Sequence, residues 1–191
     1  LQGAFKEEDK TEEKDKSARR NDEASLEVLR SLGVELIPFD LPEDLPVEAL
    51  GFILNAEAAA AFDDLTRTNR DDLMVRQERD AWPNVFRQAR LIPAVEYIQA
   101  NRVRRLLMEE MAKRMVAIDV YVAPSFGGNN LLLTNMTGHP AVVVPNGFDS
   151  QGSPTSISFI GGLFEEAKAL RLALAFQKAT DFHLKHPVLR E

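Results

Sequence analysis

The chain has 191 residues, 45% of them apolar, enough for one domain with a buried core and short of a comfortable length for two. A formal net charge of -7 opposes phosphate backbones and anionic membrane surfaces, so no direct nucleic-acid or membrane contact is expected. Cysteine is absent, which excludes disulfides and thiolate-zinc sites, and no apolar stretch approaches the ~20 residues that span a bilayer; cytoplasm is the expected compartment.

Leu1 and Gln2 open the chain without an initiator methionine or a signal core, the start expected of a cut chain. Residues 6–23 hold six Lys/Arg and eight Asp/Glu with no aliphatic side chain larger than alanine. Too little apolar surface is available there to offset chain entropy, so residues 1–22 are expected to form a charged, mobile segment and residues 23–191 the folded part. Leu26, Val28, Leu29 and Leu32 then recur at helical spacing, and Gly33 stands where a left-handed cap would end the helix.

Val34, Leu36 and Ile37 predict a short strand, stopped by Pro38. The alanine-rich stretch 55–65 predicts a helix with Asn55 as its N-cap. Residues 66–84 are mostly charged and predict surface structure anchored by Trp82. Pro93 suits the first turn of a long helix whose buried stripe would comprise Val95, Ile98, Val103, Leu106, Leu107, Met111 and Met115. Strands are predicted over 119–123, 140–144 and 156–160, the all-apolar middle one fully buried, with turn-forming loops between them. A last helix is predicted over 164–184, with Glu165 and Glu166 in its first turn. Helices and strands in this order give an α/β class, a partial mixed sheet with flanking helices.

Chemistry-bearing motifs are scarce. A serine hydrolase needs a nucleophile beside a base, and neither Gly-x-Ser-x-Gly nor Ser-x-x-Lys occurs. Ser153, followed by Pro154, reads as a turn serine. His183 and His186 read as caps on the last helix rather than as a metal pair, and His139 as a loop histidine satisfied by backbone. Arg87, Arg90, Arg102, Arg104 and Arg105 read as solvated helix charges paired with Glu96, Glu109 and Glu110. No catalytic residue, cofactor or metal site is assigned.

Four blocks in order carry a resemblance: residues 90–105, beginning Arg90-Leu91-Ile92-Pro93; Asp119-Val120-Tyr121-Val122-Ala123-Pro124; Thr134-Asn135-Met136-Thr137-Gly138-His139-Pro140 running on to Gly147; and Gly152-Ser153-Pro154 through Gly161-Gly162. Together they resemble the carboxy-terminal portion of the amidase signature family. The resemblance implies a parent amidohydrolase that cleaves carboxamide C–N bonds through a serine acyl-enzyme, with a small-molecule amide as substrate. The family's Ser-Ser-Lys machinery has no counterpart in these residues, so the chain alone is expected to be inactive. It further implies that Arg90, Asn129 and Asn130 line a wall of the substrate pocket. Alternatives are the A subunit of a tRNA-dependent amidotransferase, with partner subunits, and a non-catalytic binding module on half of the scaffold. A part-sheet would expose an open edge, which predicts a homo-oligomer or a monomer of modest stability.

Overall fold

A computed structural model describes residues 13–42 and 44–188. Its elements are α1 (Glu13–Ser31), α2 (Gly51–Ala61), α3 (Asp63–Arg67), α4 (Trp82–Ala89), α5 (Ala94–Met115), β1 (Val120–Pro124), α6 (Asn130–Thr137), β2 (Ala141–Phe148), β3 (Pro154–Gly161) and α7 (Glu166–Ala179). Short 3₁₀ turns cover Glu48–Leu50, Arg70–Leu73 and Phe182–Leu184. The α/β class holds, and the strands pair antiparallel throughout in the order β1-β3-β2 rather than as a mixed sheet.

Where one unit was expected, two compact units form: residues 1–42 with 111–191, and residues 43–110. Each has its own apolar cluster, which is the physical basis of the division. In the first, Leu29 of α1, Val122 of β1, Val144 of β2, Ile157 and Phe159 of β3, and Ala173 and Phe176 of α7 bury one another. In the second, Ala59 of α2 packs with Phe86 and Ala89 of α4.

In the first unit, helix α1 already includes residues 13–22, which were expected to be mobile; residues 1–12 lie outside the described residues. What orders this charged stretch is polar contact rather than apolar burial. Asn21 Nδ2 donates to the Phe148 carbonyl and the Thr155 hydroxyl, both at 2.9 Å, and Asn146 Nδ2 donates to Asp22 Oδ1 at 2.8 Å. Ser17 Oγ accepts the Ser150 N–H at 2.8 Å. Gly33 ends the helix at φ +81°, as its position predicted.

Residues 34–37 do not form a strand. They are extended, with Val34 and Leu36 packed on the sheet cluster, but no neighbouring strand among the described residues offers them a ladder. The strands of 119–123, 140–144 and 156–160 all form, each shifted or extended by a few residues. Their burial order differs: β3 is central and buried, whereas β2 is an edge strand with Val143 58% exposed. An apolar run alone does not say which strand has neighbours on both sides. α6 was missed altogether, its Leu131 to Leu133 run being hidden by the flanking Gly/Asn residues; Gly138 closes it at φ +80°. α7 ends at Ala179, short of the expected 184.

In the second unit, Asn55 lies inside α2 rather than at its cap, because the helix begins at Gly51. Trp82 is 45% exposed and tilts against Phe86 at 5.5 Å; the buried anchor is Phe86, which also stacks on Phe62 at 5.3 Å. Asp71, 1% exposed, pairs with Arg87 at 2.5 Å. Pro93 precedes α5, its carbonyl accepting the Glu96 and Tyr97 N–H groups. Along the part of that helix in this unit Leu107 and Ala100 are buried, while Val95, Ile98 and Leu106, expected inside, are 64%, 52% and 48% exposed; Met111 and Met115, buried as expected, belong to the first unit.

Candidate functional site

Two groups of polar side chains sit on the sheet unit, at opposite ends of α6. At its amino-terminal end, Asn130 is buried, and its Oδ1 accepts the Tyr121 hydroxyl at 2.8 Å. Burial raises the Tyr121 phenol above its usual value, so it stays a neutral donor. Beside them, after β1, Ser125 Oγ accepts the Ser158 hydroxyl at 3.0 Å, and both residues are buried. Neither serine bonds to an imidazole or amine among the described residues, so neither has a base to activate it. Phe126, 87% exposed, and exposed Asn129 complete this loop.

At the carboxy-terminal end, α6 closes through Thr137 and Gly138 onto His139. The Thr137 hydroxyl donates to the Leu133 carbonyl at 2.8 Å and lies 2.7 Å from His139 Nδ1. With its one hydrogen committed to Leu133, Thr137 can only accept from the ring, which assigns the proton to Nδ1 and leaves Nε2 the lone pair. Burial also lowers the His139 pKa below its usual 6.5, favouring this neutral form. The partner is therefore a side-chain hydroxyl, not the expected backbone group.

His139 lines an open cleft of about 470 Å³ with Met115, Ile118, Leu163 and the charged trio Asp119, Glu165 and Lys168. Lys168 bridges Glu165 at 2.8 Å and Asp119 at 3.1 Å, and these two carboxylates raise its pKa. The cleft brings a neutral imidazole together with apolar and charged side chains.

The predicted wall residues belong to different units. Asn130 is a buried, bonded residue and Asn129 the exposed N-cap position of α6, both on the sheet unit. Arg90 belongs to the second unit, where it pairs with Asp63 of α3. Among the other arginines, Arg105 pairs with Glu109 at 2.8 Å as expected, whereas Arg87 turns to Asp71 and Asp72 rather than to a glutamate.

Ser153 is a turn serine, its N–H donating to Asp149 Oδ1 at 2.8 Å. His183 and His186 lie beyond the end of α7 and do not cap it; His186 lines a cleft beside Phe148 and Val188. Among the described residues no three His, Cys, Asp or Glu side chains come together to hold a metal. Tyr121 and Thr137 are the participants that sequence reasoning passed over. Both lay inside quoted motifs, but only the fold shows that one orients Asn130 and the other His139.

No family model matches the chain. Among curated proteins it is 29% identical over 205 residues to the A subunit of glutamyl-tRNA(Gln) amidotransferase from Desulfatibacillum aliphaticivorans, covering 86% of this chain and 42% of that one. The protein of the same name from Thiobacillus denitrificans is 32% identical over 110 residues, 48% of this chain and 23% of the relative. Among solved structures, a peptide amidase bound to chymostatin matches with a TM-score of 0.71 at 20% identity, over 89% of this chain and 42% of that one. A bacterial aryl acylamidase of the amidase signature enzymes matches with a TM-score of 0.68 at 17% identity, over 87% and 41%. The chain thus spans less than half the length of the relatives it matches. The expectation of no nucleic-acid contact does not match the curated relatives, whose name is that of one component of an enzyme acting on glutamyl-tRNA. By sequence relatives and by fold, the chain is related to the amidase signature family and corresponds to a carboxy-terminal portion of its members.

Proposed function

We propose that the chain is the non-nucleophilic portion of a cytoplasmic enzyme acting on carboxamide C–N bonds, supplying sheet strands and one wall of the amide pocket. The observation that carries this reading is the relationship, over 86% of the chain, to one component of an amidotransferase. It is supported by the Ser125–Ser158 pair, neither member of which has a base beside it among the described residues. In this reading residues 125–130 carry the pocket wall: Asn129 presents an exposed amide, and Tyr121 fixes Asn130 behind it.

The test is ammonia release from a panel of simple carboxamides, together with labelling by a fluorophosphonate that captures activated serines. The chain alone gives neither signal. Turnover or labelling by the purified chain, lost in Ser125→Ala, would show that it holds its own nucleophile and overturn the proposal.

A second reading, favoured by the names of the curated relatives, makes the parent protein the A subunit of a tRNA-dependent amidotransferase. Partner subunits would then carry the tRNA surface that a net charge of -7 disfavours here. The parent complex would transfer ammonia to glutamyl-tRNA rather than release it. Ammonia release by the parent protein that is unaffected by tRNA and partner subunits would return the first reading.

A further inference from the structure

His139 is a buried polar side chain with half of its hydrogen-bonding capacity unused. Its Nδ1–H is taken by Thr137 at 2.7 Å, while Nε2 has no partner among the described residues. The residue is 7% exposed, yet Nε2 is not sealed in: the enclosed side-chain atoms without a partner belong to Thr66, Asp71 and Asn146. The space that His139 lines is the cleft of about 470 Å³, so the Nε2 lone pair opens onto it. A largely buried acceptor without a donor is a costly arrangement, and a donor brought by a ligand removes the cost.

The remaining lining residues say what kind of donor fits. Asp119 and Glu165 outnumber Lys168, so the cleft carries an excess of negative charge. Lys168 Nζ lies 2.8 Å from Glu165 Oε1 and 3.1 Å from Asp119 Oδ1, so these carboxylates already accept one primary ammonium. The second oxygen of each has no partner among the described residues, and Glu165 Oε2 lies over Gly162, itself part of the lining. Met115, Ile118 and Leu163 add apolar surface. A lone pair on a neutral imidazole, unmatched carboxylate oxygens and apolar surface together suit a primary ammonium on a short apolar body. An anion would meet two carboxylates and a ring nitrogen that offers it no hydrogen.

We infer that this cleft is a binding site for a small organic ammonium, which donates to His139 Nε2 and has its charge matched by Asp119 and Glu165. Every lining residue belongs to the sheet unit, so the site needs nothing from the helical one. The inference is independent of the proposed function, which draws on residues 125–130. The experiment is nitrogen-15 NMR of the histidine rings, which reads Nδ1 and Nε2 separately, on the purified chain at pH 7.5. Benzylamine, charged at that pH, is titrated beside benzyl alcohol, its neutral counterpart, and benzoate. Benzylamine shifts His139 Nε2 saturably and binds at least about tenfold more tightly than the alcohol, and benzoate leaves the ring unmoved. Asp119→Asn, at a side chain 86% exposed, weakens benzylamine about threefold and leaves the alcohol unchanged. His139→Phe keeps a ring in place, removes Nε2 and abolishes the preference for the ammonium.

No saturable shift with benzylamine, equal affinity for the alcohol, or tighter binding of benzoate would each overturn the inference. Zinc ion binding at His139 more tightly than benzylamine would make the site a metal's and overturn it as well. Should His139→Phe fail to fold, the comparison of amine with alcohol and the Asp119→Asn variant decide the matter by themselves.

Discussion

Asp22→Asn should stabilise the sheet unit, by an amount that depends on pH. Asp22 is 8% exposed in α1 and receives one hydrogen bond, 2.8 Å from Asn146 Nδ2. Burial raises its pKa from 3.8 to about 6, against the lowering effect of that bond and with a smaller raising effect from Glu23. A folded pKa above the unfolded one means that the native state binds the extra proton between these values. Stability is therefore greatest below pH 4 as far as this group is concerned, and falls as pH rises toward 6 and just beyond. The full shift corresponds to about 3 kcal/mol, and partial solvation of the carboxylate brings the expected effect to about 1–2 kcal/mol. Asparagine keeps the acceptor for Asn146 Nδ2, removes the charge and adds a donor near the buried Asn146 Oδ1, which has no partner among the described residues. Urea unfolding followed by circular dichroism at pH 4.5, 5.5 and 7.5 should show the variant's advantage growing with pH and levelling above about 7. A variant less stable than the parent chain at pH 7.5, or an advantage independent of pH, would refute the reasoning.

Other consequences follow from single contacts. Arg87→Met leaves Asp71 buried without its cation and should cost the helical unit roughly 2 kcal/mol, moderated by the 41% exposure of Arg87, as read by Trp82 fluorescence during unfolding. At Gly147, φ is +145° and an added Cβ would meet Asn21 Nδ2 at 2.7 Å, so Gly147→Ala should lose about 1–3 kcal/mol in the same urea assay and loosen α1. The His139 ring should titrate by NMR with a midpoint below 6.5, and its contribution to stability, complete above that pH, should fade as the pH drops through it. Thr137→Val removes the ring's partner and should move that midpoint measurably; an unchanged midpoint would argue against the Nδ1–H assignment.

What could be read from the residues was whatever local chemistry decides. Gly33 marks a helix end because its positive φ suits glycine, and Pro93 marks the start of α5 because its ring fits a first turn. The three strands were legible from their apolar runs, but their order was not: the all-apolar Ala141–Val144 run sits at an edge, since pairing partners are set by the tertiary arrangement. The charged stretch before Glu23 reads as mobile by composition and is helical from residue 13 onward, because Asn21 and Asp22 bond to residues more than 120 positions away. The site was legible only as positions. Asn130 was named only through the family resemblance, and its fixing by Tyr121 and the setting of His139 by Thr137 depend on α6, which the residue pattern did not reveal. Arg90 and Asn130 each found a partner within its own unit, a division that no spacing in the sequence announces.

The central claim is that this chain is one portion of a longer enzyme acting on amides, and the denatured mass of the native protein in its source cells tests it most directly. An antibody raised against the chain should detect a band more than about twice 21.4 kDa, in line with the 42% of the Desulfatibacillum aliphaticivorans relative that the chain covers. A band near 21.4 kDa would mean that the chain stands alone without a nucleophile, and would contradict the account.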